Sequence, residues 1–255
     1  MLDAVITAAG RLDHDAARQA GAQIKALARI GGRTLLAILV DALRAVPAVG
    51  RITVVGPQQV RDPQLPVDRW LDERESGEQN VIAALETAES ERALICASDL
   101  PFITAAAIAG LIALVPDGVA CAYPVFTRAE FCAAFPGART SFARLADGEW
   151  TGGSVLVVEP ALILRDRDRL RRAFAARKNL LALAALFGPR LTLLFLCKRL
   201  RIRDVESRLR SLSAADFRAL RGADPALAMD CDDAADFAYA RSRFAEASRA
   251  RMGAS

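Results

Sequence analysis

Histidine is almost absent: His14 is the one imidazole in 255 residues, in a stretch that reads as an exposed loop or helix. That leaves little basis for a hydrolase built on a nucleophile–histidine pair. Cysteine is sparse too. Cys96, Cys121, Cys132, Cys197 and Cys231 fall singly, mostly within apolar stretches, and no Cys-x-x-Cys occurs. An odd number without framework spacing points to reduced thiols in a cytoplasmic protein. Aromatics make up 6% of the chain and basic residues are scattered, so the footprint of a nucleic-acid binder is missing. Long apolar runs are lacking as well. The greasiest segment, 180–200, is interrupted by Gly188-Pro189-Arg190, and neither half reaches the roughly 20 residues of a membrane span. Met1-Leu2-Asp3 brings no basic n-region, so no signal peptide is expected. No Gly-x-Gly-x-x-Gly follows the first apolar run, which argues against a dinucleotide oxidoreductase.

What is present describes an ordinary globular chain, with 53% hydrophobic and 25% charged residues and a net charge of +4. The positive charge is nearly all arginine, and runs such as Arg165-Asp166-Arg167-Asp168-Arg169 alternate in sign as a solvated helix face does. Short apolar runs alternate with amphipathic ones. Ala4-Val5-Ile6-Thr7 reads as a strand leading to Gly10, 34–46 as a helix, and 51–55 as a strand closing at Gly56. A helix over 80–89, a buried strand over 93–97, a helix capped by Thr104 and a strand over 119–123 follow. This alternation predicts βαβ units and a mostly parallel sheet flanked by helices. The pattern loosens over 124–149. A strand is expected over 152–158, helical segments over much of 160–220 with a break at Gly188-Pro189, a short strand over 227–231 and a helix over 234–247. The tail 251–255 has no reason to be ordered. No repeat or linker divides the chain, so one domain over 1–250 is expected, with a substrate-facing insert at about 124–152.

Several places could carry chemistry. Ala8-Ala9-Gly10-Arg11 ends the first strand, where small residues let backbone N–H groups approach phosphates; a tight turn accounts for them equally well. Lys25 is one of three lysines in an arginine-rich chain, and a compact charge near that loop suits a triphosphate, as it also suits plain solvent. Asp99, after an apolar strand and before Leu100-Pro101, sits where a carboxylate at a strand's carboxyl rim can hold Mg²⁺, or start a turn. Asp230-Cys231-Asp232-Asp233 closes another apolar run. One aspartate there can cap the following helix while another ligates. Ser76, Gly77 and Asn80, in the loop from Glu73, suit a base or ribose, and a plain helix start explains them equally well. Thr151-Gly152-Gly153-Ser154 permits close approach by a ligand or by another backbone.

In this order these segments resemble the MobA-like nucleotidyltransferases, a superfamily of Rossmann-like, GT-A-type three-layer α/β fold. The resemblance rests on Ala8-Ala9-Gly10-Arg11-Leu12 through Lys25-Ala26-Leu27, on Ile30-Gly31-Gly32-Arg33-Thr34-Leu35-Leu36, on Ser98-Asp99-Leu100-Pro101, and in looser form on Asp230-Cys231-Asp232-Asp233-Ala234-Ala235-Asp236-Phe237. It covers about residues 3–245. It implies transfer of a nucleoside monophosphate from a nucleoside triphosphate to a small, phosphorylated acceptor, with loss of pyrophosphate. It further implies that Asp99 and Asp232 hold Mg²⁺ and that Lys25 and Arg11 act on the phosphates. Ala8, Ala9, Gly10, Ser76, Gly77, Asn80 and Ser98 would contact the nucleotide, and Tyr123 with Thr151, Gly152, Gly153 and Ser154 the acceptor. Two departures stand out. The first loop continues through Arg11 and an insert over 12–23, which leaves Arg11 and Arg18 both as candidates for the β and γ phosphates. The closing Thr-Pro-Glu is replaced by Asp233-Ala234-Ala235, which keeps open a nucleotide-binding or regulatory protein that has lost catalysis.

Overall fold

The computed structural model describes residues 1–168, 171, 188–213 and 215–252. Strand β1 (Leu2–Thr7) lies inside the sheet, between β4 (Val49–Gly56) and β6 (Ala93–Ala97), parallel to both. Ala4 and Ile6 pack into the larger core on one face and Val5 into a second core on the other. Burial on both faces is why these strands read as continuous apolar runs. A hairpin of β2 (Arg29–Ile30) and β3 (Arg33–Thr34) precedes α2 (Leu35–Arg44). Thr34 caps that helix by accepting from the Ala37 N–H at 3.1 Å.

The nine-stranded sheet runs β5-β4-β1-β6-β10-β7-β9-β8, with β5 at Arg69–Asp72, β7 at Cys121–Thr127, β8 at Ala143–Leu145, β9 at Gly148–Gly152 and β10 at Val155–Val158. Strand β11 (Phe217–Leu220) pairs parallel with β7, whereas β10 runs antiparallel to both its neighbours. The chain reaches β4 and β5 on one side of β1, then crosses through α3 (Gly77–Leu85) to β6 on the other side. Helix α4 (Ala105–Leu114) starts at Thr104, which accepts from the Ala107 N–H at 3.1 Å. Helix α5 (Arg128–Ala134) opens on a capping box between Thr127 and Glu130. Short α6 (Pro160–Arg165), α7 (Pro189–Leu196) and α8 (Ile202–Ser213) follow, and α9 (Ala234–Met252) closes the described chain.

Three expectations need correction. The apolar run 227–231 is no strand. A 3-10 turn (Pro225–Leu227) leads into a buried connection across the carboxyl ends of the strands, tied by the Cys231 N–H to the Asp99 carbonyl at 3.0 Å. A short buried run looks the same in sequence whether or not it joins a sheet. Residues 217–220, expected in a helical region, form β11 because the free edge of β7 supplies partners that local propensity cannot foresee. The expected strand 152–158 is two: β9 ends at Gly152 and β10 begins at Val155. The helical expectation for 169–187, Arg171 apart, lies outside the described residues. Of the tail 251–255, for which no order is expected, Arg251 and Met252 continue the last helix while 253–255 lie outside the described residues. No helix among the described residues is long and apolar enough to cross a membrane.

Candidate active site

The change of direction around β1 and β6 opens a crevice at their carboxyl ends, the place where open α/β sheets bind ligands. A cleft of about 850 Å³ lies there, bordered by Ala9, Gly10, Arg11, Lys25, Ser98 and Asp99. Ala8 takes no part in its lining. It is fully buried, its N–H donates to the Val55 carbonyl at 2.8 Å, and Gly56 lies so close that a Cβ there would sit 3.1 Å from the Ala8 oxygen. The insert after Arg11 folds out as α1 (His14–Ala20), capped by Asp13 and by Gly21 at φ 71°. It closes like a hairpin: Leu12 N–H donates to Gln23 O and Lys25 N–H to Gly10 O, both at 2.9 Å. Lys25 is thus returned to the first loop. Its stem lies over Gly10, where any Cβ would come within 3.2 Å of Lys25 Cδ.

Lys25 Nζ donates to Asp99 Oδ2 at 2.8 Å and also to Asp232 Oδ1. Burial alone would depress this ammonium. The charge of Asp99 and the hydrogen bonds to Asp232 and Asp99 outweigh it and hold Lys25 above the ordinary lysine range. Two aspartates near β1 and β6 invite contrast. Asp3, at the amino end of β1, is 5% exposed and accepts from Glu89 N, Ser90 N and Ser90 Oγ, so its burial is structural. Asp99, at the carboxyl end of β6, is 7% exposed, and its Oδ1 is buried without a hydrogen-bond partner. A buried oxygen left unserved is uncommon, and a bound ion, a water or a catalytic role accounts for such cases.

The acidic cluster divides its labour. Asp233 caps α9, accepting from Ala235 N at 2.8 Å and Asp236 N at 3.0 Å, while Asp236 accepts from the Asp232 and Asp233 amides. Asp232 is left to face Lys25. Asp230 accepts from Ser154 Oγ at 3.0 Å and is pushed up to about 6 by burial and by the charges of Asp99 and Asp232. A carboxyl whose folded value is raised binds its proton more tightly in the folded state. Its contribution to stability is therefore full below the ordinary carboxylate range and is lost as pH rises through about 6. Thermal melts of the ligand-free Asp230→Asn variant should show higher stability than the parent at pH 7–8 and a flatter pH dependence between 4 and 6; parallel melting curves would remove Asp230 from this account.

The remaining expected positions separate. Arg11 donates to Ala9 O at 3.0 Å and Glu73 Oε1 at 2.7 Å, joining the first loop to the loop before α3. Arg18 is exposed on α1, bonded to Asp15 at 3.1 Å and outside the cleft. Ser76 and Gly77 border the cleft, and Ser76 Oγ is buried without a partner. Asn80 also borders it but is committed: its Oδ1 accepts from the Arg74 N–H at 2.6 Å. Glu73, not singled out in the sequence, is visible only once Arg11 reaches it. His14 is exposed beside Asp15.

Of the residues expected to meet an acceptor, Tyr123, Thr151, Gly152, Gly153 and Ser154 border a second chamber of about 510 Å³ together with Arg139, and it also meets Asp230 and Asp232. The two glycines answer to the protein's own packing: a Cβ on Gly152 would lie 1.8 Å from the Tyr123 hydroxyl, and one on Gly153 would lie 2.7 Å from Pro124 Cγ. Thr151 meets Thr140 at 3.3 Å. Arg128 and Arg144 both turn to Glu149, at 2.6 and 3.0 Å, so Arg139 is the arginine of the three that lines this chamber.

The family model of the MobA-like NTP transferase domain matches residues 4–180. The chain belongs to this family. Among solved structures, a hypothetical transferase from Thermus thermophilus is 30% identical, with a TM-score of 0.81 over 93% of this chain and all of that one. A 2-C-methyl-D-erythritol 4-phosphate cytidylyltransferase, also from Thermus thermophilus (19% identity, TM-score 0.54, covering 96% and 99% of the two chains), shares the fold. So does a nucleotidyl transferase from Methanothermobacter thermautotroptrophicus (17%, 0.57, covering 97% and 99%). The comparison with curated proteins finds no match.

For a MobA-like NTP transferase, the cleft combines what phosphates require: backbone at a glycine, a lysine, and carboxylates able to share a cation. No three His, Cys, Asp or Glu side chains converge as a ready-made metal cluster among the described residues. Mg²⁺ needs none, since it binds through one or two carboxylates and takes its other ligands from phosphates and water. The unserved Oδ1 of Asp99, with Asp232 across Lys25, fits that demand.

Proposed function

We propose that this chain is a Mg²⁺-dependent nucleotidyltransferase that moves a nucleoside monophosphate from a triphosphate to a small, phosphorylated acceptor. The observation that carries the reading is Lys25 lying between Asp99 and Asp232 at the switch-point crevice, with one buried oxygen of Asp99 left free. An acceptor oxygen attacks the α-phosphorus, the bond to the bridging oxygen breaks, and pyrophosphate departs with that electron pair. Such a transfer depends on positioning and charge neutralisation. Mg²⁺, held by Asp99 and Asp232, would neutralise phosphate charge. Lys25 and Arg11 meet the charge that builds on the leaving pyrophosphate. Ala9 and Gly10 let backbone approach the phosphates, and Ser76 and Gly77 face the nucleoside at the start of α3. Arg139 and Ser154 orient the acceptor, beside Tyr123.

The test begins with thermal shifts by each of the four ribonucleoside triphosphates with Mg²⁺, followed by pyrophosphate release with the stabilising nucleotide and a panel of phosphorylated acceptors. One nucleotide should raise the melting temperature and release pyrophosphate only with Mg²⁺ and an acceptor. Stabilisation without release across the panel would indicate a binding or regulatory protein, and no shift with any nucleotide would sink the nucleotide site itself.

A further inference from the structure

Beyond the cleft, one face of the sheet is incompletely covered among the described residues. Side chains two apart along a strand share a face, which groups Cys121, Tyr123 and Val125 of β7. Phe217 and Ala219 of β11 stand opposite Cys121 and Tyr123 in register. Helix α8 crosses this face. Its Ile202 packs with Val125 and Trp150, yet Val205 and Leu209 border a cavity of about 470 Å³ shared with the strands beneath. Polar tethers set the height of the helix. Asp147 accepts from Ile202 N at 3.3 Å, Glu206 from Ala219 N at 2.8 Å, and Asp216 from Arg210 at 2.6 Å.

The lining is apolar almost throughout. Its charged members among the described residues are Glu206, held on the Ala219 amide, and Arg218, held on Asp216 at 3.1 Å. An occupant therefore meets hydrocarbon and no free charge. The cavity also adjoins the reaction site. Tyr123 borders this cavity, the nucleotide cleft and the acceptor chamber alike; Leu156 is shared with the cleft, and Thr151 and Gly152 with the acceptor chamber. A tyrosine has an apolar ring and a polar tip, which suits a boundary between a polar pocket and an apolar one.

Resting on the transferase reading above, we infer that the acceptor is amphiphilic: its reacting oxygen lies in the polar chamber, and an aliphatic tail passes Tyr123 into the cavity under α8. A wholly polar acceptor would leave this lining facing water. A tail displaces that water, and each methylene it carries inward strengthens binding about fourfold.

The probes are n-alkyl phosphates and n-alkanols from butyl to octyl, kept below aggregation. Binding to the full chain with Mg²⁺ and its stabilising nucleotide is followed through Trp150 emission in a Trp70→Phe background. Affinity in at least one series should rise about fourfold per methylene and level off once the cavity is full. Val205→Phe and Ala219→Phe, which fill the cavity from opposite walls, should flatten the rise while keeping the nucleotide-induced thermal shift. Affinity independent of tail length in both series, or a rise surviving in both folded variants, overturns the inference; the unsubstituted cavity decides alone if neither variant folds. Loss of the nucleotide shift in the parent protein would instead overturn the transferase reading.

Discussion

Asp99→Asn is expected to lower Mg²⁺-dependent pyrophosphate release by about 10²–10³-fold, the order seen when one preorganised charge-stabilising group is removed. The fold should survive. Asparagine keeps the shape of the side chain, Lys25 retains Asp232, and the backbone bond from Cys231 to the residue 99 carbonyl is untouched. Melting temperature and turnover measured on the same preparation separate the outcomes. Full activity would end the assignment of Asp99 to the phosphates, and a variant that does not fold would make Asp99 a structural partner of Lys25 instead.

Lys25→Met should affect both stability and turnover. The methionine fills most of the space of the lysine stem over Gly10 but leaves the Asp99 carboxylate, 9% exposed at the side chain, without its cation. Breaking a buried ion pair from one side costs about 3–5 kcal/mol, because a charge is left unpaired. The lower end applies here, since the second partner, Asp232, is 67% exposed and can rely on solvent. The pair can be dissected by urea unfolding. Lys25→Met combined with Asp99→Asn should recover most of the lost stability and none of the pyrophosphate release. Equal destabilisation in the single and double variants would mean that Lys25 acts through the packing of its stem, not through charge.

Much of the fold was legible because its signals are local. The run Ala93–Ala97 is a strand with the expected bounds, and Thr34 and Thr104 cap the helices they precede. Asp230-Cys231-Asp232-Asp233 offered one aspartate for a cap and one for a site, and the structure assigns the cap to Asp233. Other features depend on neighbours distant in sequence. Gly152 and Gly153 were open to a ligand or to another backbone; both border the second chamber, and Tyr123, Pro124 and the Leu227 carbonyl take the space a Cβ would need. Ala8 belonged to the loop motif, but its amide is taken by β4. Strand β11 exists only because β7 has a free edge.

The sequence by itself determined the alternation of strand and helix, and with it the parallel sheet and the carboxyl-end positions of Gly10 and Asp99. Apolar periodicity and capping chemistry are properties of a few consecutive residues, so they survive without the rest of the chain. Only the tertiary structure decided which charges meet. The hairpin-like closure of the insert brings Lys25 back to Gly10, the crossing through α3 sets β6 beside β1, and the final connection delivers Asp232 to the same ammonium. The raised Asp230 and the unserved oxygen of Asp99 follow from that convergence, since burial and charge proximity are set by the whole fold and by no segment of it alone.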